Sequence, residues 1–253
     1  MSQYVLYIIC SDNKPNNFIE RCIKSIDTEI DVVIMMNSND EFHIDRVRHL
    51  ANENKLFFVS SESTTYPGTA RNACVDHFGT TNYEYMIEFD CSDNFFAGSL
   101  NTIKNNIKGK DCVLFRFNYM RVKKSILPFK TLDDYSIKAS IFFSTYRGTI
   151  EYFKYLYRPC AFSRKIISSN FRYEDSIMDD FQASKDIFNN LNLDISFIDM
   201  LDNFNYTRLE KTGAMINMRQ RLSEQDFLEY IAPYIQNIKK ALILRNLNEN
   251  IID

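Results

Sequence analysis

The sequence lacks a CxxC pair: Cys10, Cys22, Cys74, Cys91, Cys112 and Cys160 are scattered along the chain. The six thiols read as small core residues of a reduced, cytosolic protein rather than as a metal site. The opening stretch MSQYVLYIICSDN is apolar over far fewer than the ~20 residues a membrane span needs, and no basic region precedes it. A buried strand is expected there, not a signal peptide. With only 6 glycines and 5 prolines there is no Pro/Gly-rich linker, and no repeat or low-complexity tract argues for a solenoid or an array. Neither a Walker-type loop nor a nucleophile elbow occurs. The formal charge of -3 gives no whole-molecule argument for nucleic acid or a membrane surface.

What is present is a hydrophobic content of 45% arranged in alternating periods. Val5 to Cys10 reads as a strand, and Phe18, Ile19, Cys22, Ile23 and Ile26 follow at helical spacing. Asp31 to Met36 is a second strand, Asp40 caps a helix carrying Ile44, Val47 and Leu50, and Leu56 to Val59 is a third strand. Pro67 opens a helix with Ala70, Ala73, Cys74 and Phe78; Tyr83 to Phe89 is a fourth strand, Ser99 to Ile107 a helix stopped by Gly109, and Cys112 to Tyr119 a fifth strand. This β-α alternation over residues 4 to 119 predicts an α/β domain with a mostly parallel, doubly wound sheet and helices on both faces. Ligands in such sheets sit beyond the carboxyl ends of the strands. Those ends are Cys10-Ser11-Asp12-Asn13, Asn37-Ser38-Asn39-Asp40 and Asp90-Cys91-Ser92-Asp93.

The second half is less regular. Residues 120 to 172 mix aromatics with cations, Asp175 to Phe188 reads as a helix, and Ile195 to Ile198 and Phe204 to Arg208 as strands. The expected organisation is one domain over 1–222, its 1–119 half for a nucleotide ligand and its 120–222 half for an acceptor, with 223–253 a C-terminal helix packed on it. The helical stripe of that last segment is Phe227, Ile231, Tyr234, Ile235, Ile238 and Leu242; a peripheral membrane contact or a dimer through it is the alternative to packing.

Three constellations carry chemistry. In Asp90-Cys91-Ser92-Asp93 an apolar strand delivers Asp90 and Asp93 to the ligand edge, where Mg²⁺ or Mn²⁺ takes one or two carboxylates plus substrate phosphates. Pro67-Gly68-Thr69-Ala70-Arg71-Asn72 starts a helix whose amide ends and arginine suit an anion. Glu174 and Asp175 stand together at a helix start, in a general-base context or as caps, whereas Asp179 and Asp180 read as a solvated face. His43, His49 and His77, with no paired carboxylate, read as surface or packing residues.

The order of these pieces resembles the family 2 glycosyltransferases. Asn13, the helix Glu20 to Ile26, Ser38 and Asp40 match the family's opening pattern; Gly68, Ala70-Arg71-Asn72 and Tyr85 to Asp93 resemble its glycine-Arg-Asn helix and acidic strand end. Arg158 to Lys165, Phe171 to Asp175 and Tyr206-Thr207-Arg208 are similar to its acceptor-side pattern, so the likeness spans residues 4 to 210. It implies a GT-A (Rossmann-like) fold and an inverting transfer from a nucleoside-diphosphate sugar, UDP-linked by preference, to an acceptor hydroxyl. Asp175, with Glu174 beside it, would be the catalytic base; Asn13, Ser38, Asp40, Gly68, Arg71, Asn72 and Asp90 would line the donor site. A divalent metal, Mn²⁺ or Mg²⁺, would sit at Asp90 and Asp93.

Two substitutions depart from that pattern: Ser92 stands where a third carboxylate is usual, and Met35-Met36 where an acidic pair is usual. Both keep open a sugar-nucleotide or glycan binding module without turnover. Residues 104 to 172 carry fifteen cations against four anions, a local +11 in a chain of -3, which opens the reading of a polyanionic acceptor such as nucleic acid beside that of a glycan. Aromatics interleaved with those cations, Phe115 and Tyr119 among them, would stack on bases or sugars or fill the core.

Overall fold

β1 (Tyr4–Ser11) is apolar on both faces, and such a run is stable only where both faces are covered. In the computed structural model it lies inside a seven-stranded sheet. The structure describes residues 2–11, 16–61, 68–91, 93–95, 98–116, 121–122, 157–175, 179–199 and 206–209, with isolated helical positions between 232 and 244. The stripe expected over 227–242 lies outside the described residues, as do Asn13, Pro67 and Ser92.

The first half follows the expected alternation: α1 (Asn16–Lys24), β2 (Asp31–Asn37), α2 (Glu41–Glu53), β3 (Phe57–Ser61), α3 (Gly68–Thr80), β4 (Tyr85–Asp90), a short β5 (Asp93–Phe95), α4 (Ser99–Ile107) and β6 (Cys112–Arg116). Asp40 caps α2, its carboxylate accepting from the amides of Phe42 (3.0 Å) and His43 (3.3 Å). Gly109, at φ 70°, turns the chain after α4, where a left-handed residue is the usual stop. Next come β7 (Arg121–Val122), β8 (Tyr157–Ser163), α5 (Lys165–Ser168), α6 (Asp179–Asn189), β9 (Ile195–Asp199) and β10 (Tyr206–Leu209).

The sheet order is β3-β2-β1-β4-β8-β6-β9. β1, β2, β3 and β4 run parallel to one another, and β8 enters antiparallel between β4 and β6. The segment Arg158 to Ser163, read from sequence as part of an acceptor-side pattern, is therefore a strand of the central sheet. A smaller sheet, ordered β5-β10-β7, pairs Tyr206, Thr207 and Arg208 antiparallel with Phe95, Asn94 and Asp93.

Period-2 alternation divides the core in two. Tyr4, Leu6, Ile8 and Cys10 of β1 pack with α1, α2 and α4 through Ile19, Cys22, Val47, Leu50, Leu100 and Ile103. Val5, Tyr7 and Ile9 pack on the other face with α3, α5 and α6 through Ala70, Cys74, Phe78, Ile166, Ala183 and Ile187. All six cysteines are buried and free, as core residues. No helix among the described residues is long and apolar enough to cross a membrane.

Candidate active site

β4 builds the site by alternation. Met86 packs into the layer of α3 and α6, so Glu88 and Asp90, two and four residues on, share that face. Glu88 is fully buried, which for a carboxylate requires compensating charge. Arg71, one turn into α3, supplies it and is itself 1% exposed. Its Nη1 donates to Glu88 Oε1 at 3.1 Å, its Nη2 to Asp90 Oδ1 at 3.1 Å, and its Nε to Asp179 Oδ2 at 2.8 Å. Each edge of the planar guanidinium thus meets a different carboxylate, a geometry that a lysine ammonium cannot reproduce. The buried Arg158 of β8 places Nη2 3.6 Å from the same Asp90 oxygen and lies over the rings of Phe89 and Phe115. Two guanidinium groups and three carboxylates converge, leaving Asp90, at 24% side-chain exposure, as the most open of the three.

The same turn of α3 grips a second segment. A Cβ at Gly68 would lie 2.1 Å from the Glu174 carbonyl oxygen and 3.0 Å from Asp175 Cα, so only glycine admits this main-chain approach. Four residues along, Asn72 Nδ2 donates to the Tyr173 carbonyl and the Tyr173 amide donates back to Asn72 Oδ1, both at 2.8 Å. The Tyr173 ring lies against the Arg71 guanidinium (5.6 Å), and its hydroxyl donates to Glu88 Oε1. Gly68, Arg71 and Asn72, spaced i, i+3 and i+4 on one helix face, tie the end of β4 to Tyr173-Glu174-Asp175.

The remaining expected site residues sit as follows. Ser38 is buried after β2 and its hydroxyl accepts from the Asp40 amide at 3.0 Å, so Ser38 and Asp40 shape the turn into α2 at the ligand edge of the sheet. Glu174 and Asp175 are exposed, ahead of α6. Asp93 lies in β5, three residues after Asp90, at the small sheet. Among the described residues, no group of three His, Cys, Asp or Glu side chains comes together that could hold a metal ion. A hard divalent ion carried in with a diphosphate needs fewer protein ligands, one or two carboxylates, and a carboxylate can hold a guanidinium on one oxygen and a cation on the other. Asp90 fits that lesser demand.

Several readings change. Asp179, expected on a solvated face, is 3% exposed and ion-paired to Arg71; a carboxylate in the first turn of a helix looks alike in sequence whether it caps, faces solvent or reaches a distant arginine. His49 is not without a carboxylate, since Glu53 lies 3.3 Å away one turn along α2. Phe115 stacks on Phe89 in the core. Some of the fifteen cations of residues 104 to 172 have partners at the surface of the fold: Lys104 reaches the Glu29 carbonyl, Lys110 pairs with Asp194, and Lys165 with Asp111. Arg172 pairs with Asp76, and Arg164 donates to the carbonyls of Phe78, Gly79, Thr81 and Tyr83. Lys123 to Lys154 lie outside the described residues.

Glu88, Arg158 and Tyr173 were not read as site residues from sequence. A glutamate at an inward position of an otherwise apolar strand was the available signal for Glu88. Asn37, at the carboxyl end of β2, is also buried, and its Oδ1 has no hydrogen-bond partner among the described residues.

Seven strands in this order, with helices on both faces, form a GT-A-type fold, the one shared with the solved structures that the chain resembles. No protein-family profile matches the chain, and no curated protein does. Among solved structures, TarS of S. aureus, residues 1-349 in complex with UDP-GlcNAc, aligns over 100% of this chain and 69% of its own, with 18% identity and a TM-score of 0.56. The mannosyltransferase PcManGT of Pyrobaculum calidifontis, in complex with GDP-Man and Mn²⁺, aligns over 96% and 74%, with 13% identity and a TM-score of 0.51. Against another TarS structure the chain spans 43% of the neighbour's length.

Proposed function

We propose that the chain transfers a sugar from a nucleoside-diphosphate sugar to an acceptor hydroxyl with inversion. The observation that carries this reading is the double grip of α3: Arg71 holds Asp90 at the sheet's ligand edge, while Gly68 and Asn72 hold the Tyr173-Glu174-Asp175 chain. A diphosphate-side carboxylate and an exposed carboxylate of the base type are thereby attached to one helical turn, about 6 Å long from Gly68 to Asn72. In this reading the donor diphosphate lies at Asp90 and the turn of Ser38 and Asp40 borders the nucleoside. Asp175 accepts the proton of the acceptor hydroxyl as that oxygen attacks the anomeric carbon, and the nucleoside diphosphate leaves from the opposite face. Asp90 and Asp93 are the residues that would hold a divalent ion, Mn²⁺ or Mg²⁺. Such an ion, when bound, supplies charge neutralisation of the departing diphosphate. UDP-GlcNAc bound to TarS and GDP-Man with Mn²⁺ bound to PcManGT support donors of this class, with a UDP-sugar as the first to test.

The acceptor is read first as a glycan hydroxyl, and the +11 charge of residues 104 to 172 keeps a polyanion such as nucleic acid as the alternative. A phosphate-backbone acceptor would lose orders of magnitude in affinity between ~50 and ~200 mM salt, whereas a neutral glycan would not. The deciding assay is a panel of nucleotide sugars, read as thermal stabilisation and as donor hydrolysis with and without Mn²⁺. Asp175→Asn should keep donor binding and lose ~10²-fold or more in transfer. Stabilisation by a nucleotide sugar without transfer to any acceptor would leave a binding module; near-normal transfer by Asp175→Asn would remove that residue as the base.

A further inference from the structure

Glu88 is a fully buried carboxylate in the middle of β4 that the transfer reaction has no direct use for. It receives two donors at once on Oε1, the Arg71 guanidinium at 3.1 Å and the Tyr173 hydroxyl. A side chain that only neutralised Arg71 would not need the second bond, because Asp90 and Asp179 already meet the other edges of that guanidinium. The Tyr173 bond has a different effect. Tyr173 is 3% exposed and packs edge-on to Phe162 and Phe171, so its ring has a fixed seat. Its main chain is held from the other side by Asn72 through two bonds of 2.8 Å, and the next carbonyl lies against Gly68. With hydroxyl, ring, amide and carbonyl all fixed, the chain leaving Tyr173 toward Asp175 is held in place two residues before the proposed base.

We propose that Glu88 is a positioning residue. Through the Tyr173 hydroxyl it locks the segment that presents Asp175, and through Arg71 it sets that segment's place relative to Asp90. The pair Glu88 and Tyr173 thus fixes the distance between the diphosphate end and the base end of the site, without either residue touching a reacting atom. This inference rests on Asp175 being the base. Its physical basis is that a base must lie within hydrogen-bond reach of the proton it takes, and that a displacement of ~1 Å costs about 10²-fold in rate. Glu88 and Tyr173 are not among the residues proposed to line the donor site, so loss of the latch should appear in transfer and not in donor binding.

The test is Tyr173→Phe, which deletes one oxygen and leaves the ring, the main-chain groups that bond Asn72 and the Glu88–Arg71 ion pair, so that any loosening of the segment comes from the missing hydroxyl. The expected result is a fall in kcat for transfer of roughly tenfold or more with KM for the donor and nucleotide-dependent thermal stabilisation unchanged. Hydrogen exchange should become faster at the amides of residues 173 to 175 and stay the same in β1 and β4. The pH dependence of kcat should keep its acid limb in Tyr173→Phe and lose it in Asp175→Asn, which separates positioning from proton transfer. Glu88→Gln, which keeps an oxygen able to accept from Tyr173, should retain more transfer than Glu88→Leu where both fold. Wild-type kcat in Tyr173→Phe, or unchanged exchange at 173 to 175, overturns the latch. Absence of transfer by the wild-type protein with every nucleotide sugar tried instead sinks the proposed function, and the exchange measurement then still reports whether Glu88 and Tyr173 order the segment.

Discussion

Asn72 and Tyr173 hold each other by two reciprocal hydrogen bonds, side-chain amide to main chain, across 101 residues of sequence. Asn72 therefore acts as an anchor for the chain bearing Asp175, in addition to whatever the donor asks of it. Asn72→Asp replaces the Nδ2 donor by an oxygen, which then faces the Tyr173 carbonyl. Transfer should fall more than donor affinity does, and a variant that loses donor binding first, by calorimetry, would return Asn72 to the nucleotide side.

Gly68→Ala puts a methyl group 2.1 Å from the Glu174 carbonyl oxygen. Backbone must move, and overpacking of this kind costs about 1–3 kcal/mol, or a melting temperature lower by roughly 2–4 °C per kcal/mol in a chain of this size. Displacement of the Glu174-Asp175 chain should remove most transfer activity. A variant with unchanged melting and unchanged transfer would show that this close approach is dispensable.

Arg71→Ala leaves Glu88, Asp90 and Asp179 short of one cation in a buried setting. Breaking a buried ion pair from one side costs about 3–5 kcal/mol, so urea unfolding should report a large loss or no folded protein. Arg71→Lys keeps the charge but reaches fewer of the three carboxylates, and should fold with reduced stability and reduced transfer. Equal stability of Arg71→Lys and the parent would mean that the three-way geometry contributes nothing beyond charge.

Asp90→Ala removes the most exposed carboxylate of the cluster while Glu88 and Asp179 continue to hold Arg71. Mn²⁺-dependent donor affinity and turnover should both disappear, with the fold kept at lower stability because the buried Arg158 loses the carboxylate 3.6 Å from its Nη2. Calorimetry in which the Mn²⁺ effect on donor affinity survives this change would move the metal away from Asp90.

Burial lowers the pKa of His77, whose Nδ1 lies 2.8 Å from the Tyr7 hydroxyl. The unfolded chain then takes up its proton first as pH falls. The stability linked to His77 is complete above the unfolded pKa of about 6.5 and is lost as pH drops through the lower folded value. Urea midpoints should decline from pH 7 to pH 5, and the decline should be shallower in His77→Gln. Parallel profiles for the two proteins would remove His77 as the cause.

Local pattern carried much of the architecture. The β-α alternation, the Asp40 cap, the Gly109 stop and the acidic end of β4 were all legible, because period, caps and turn residues act within a few positions of themselves. The antiparallel insertion of Arg158 to Ser163 between β4 and β6 was not, since strand order depends on which edges meet and no local period encodes that. Nor was the small sheet that sets Arg208 opposite Asp93.

The residue types of the candidate site were likewise present in the sequence, while their jobs were not. Gly68, Arg71, Asn72, Asp90 and Asp175 stood out by their order along the chain. By itself the sequence determined a doubly wound α/β chain with carboxylates at its ligand edge, because hydrophobic period and strand-end composition are local quantities. Only the tertiary structure decided that Gly68 and Asn72 grip the Tyr173 segment and that Asp179 is buried on Arg71. Only it made Glu88, one inward side chain of β4, the acceptor for both Arg71 and Tyr173. Those contacts join residues 17 to 108 positions apart, and a buried charge reveals its partners only when the fold has removed the water that would otherwise have served.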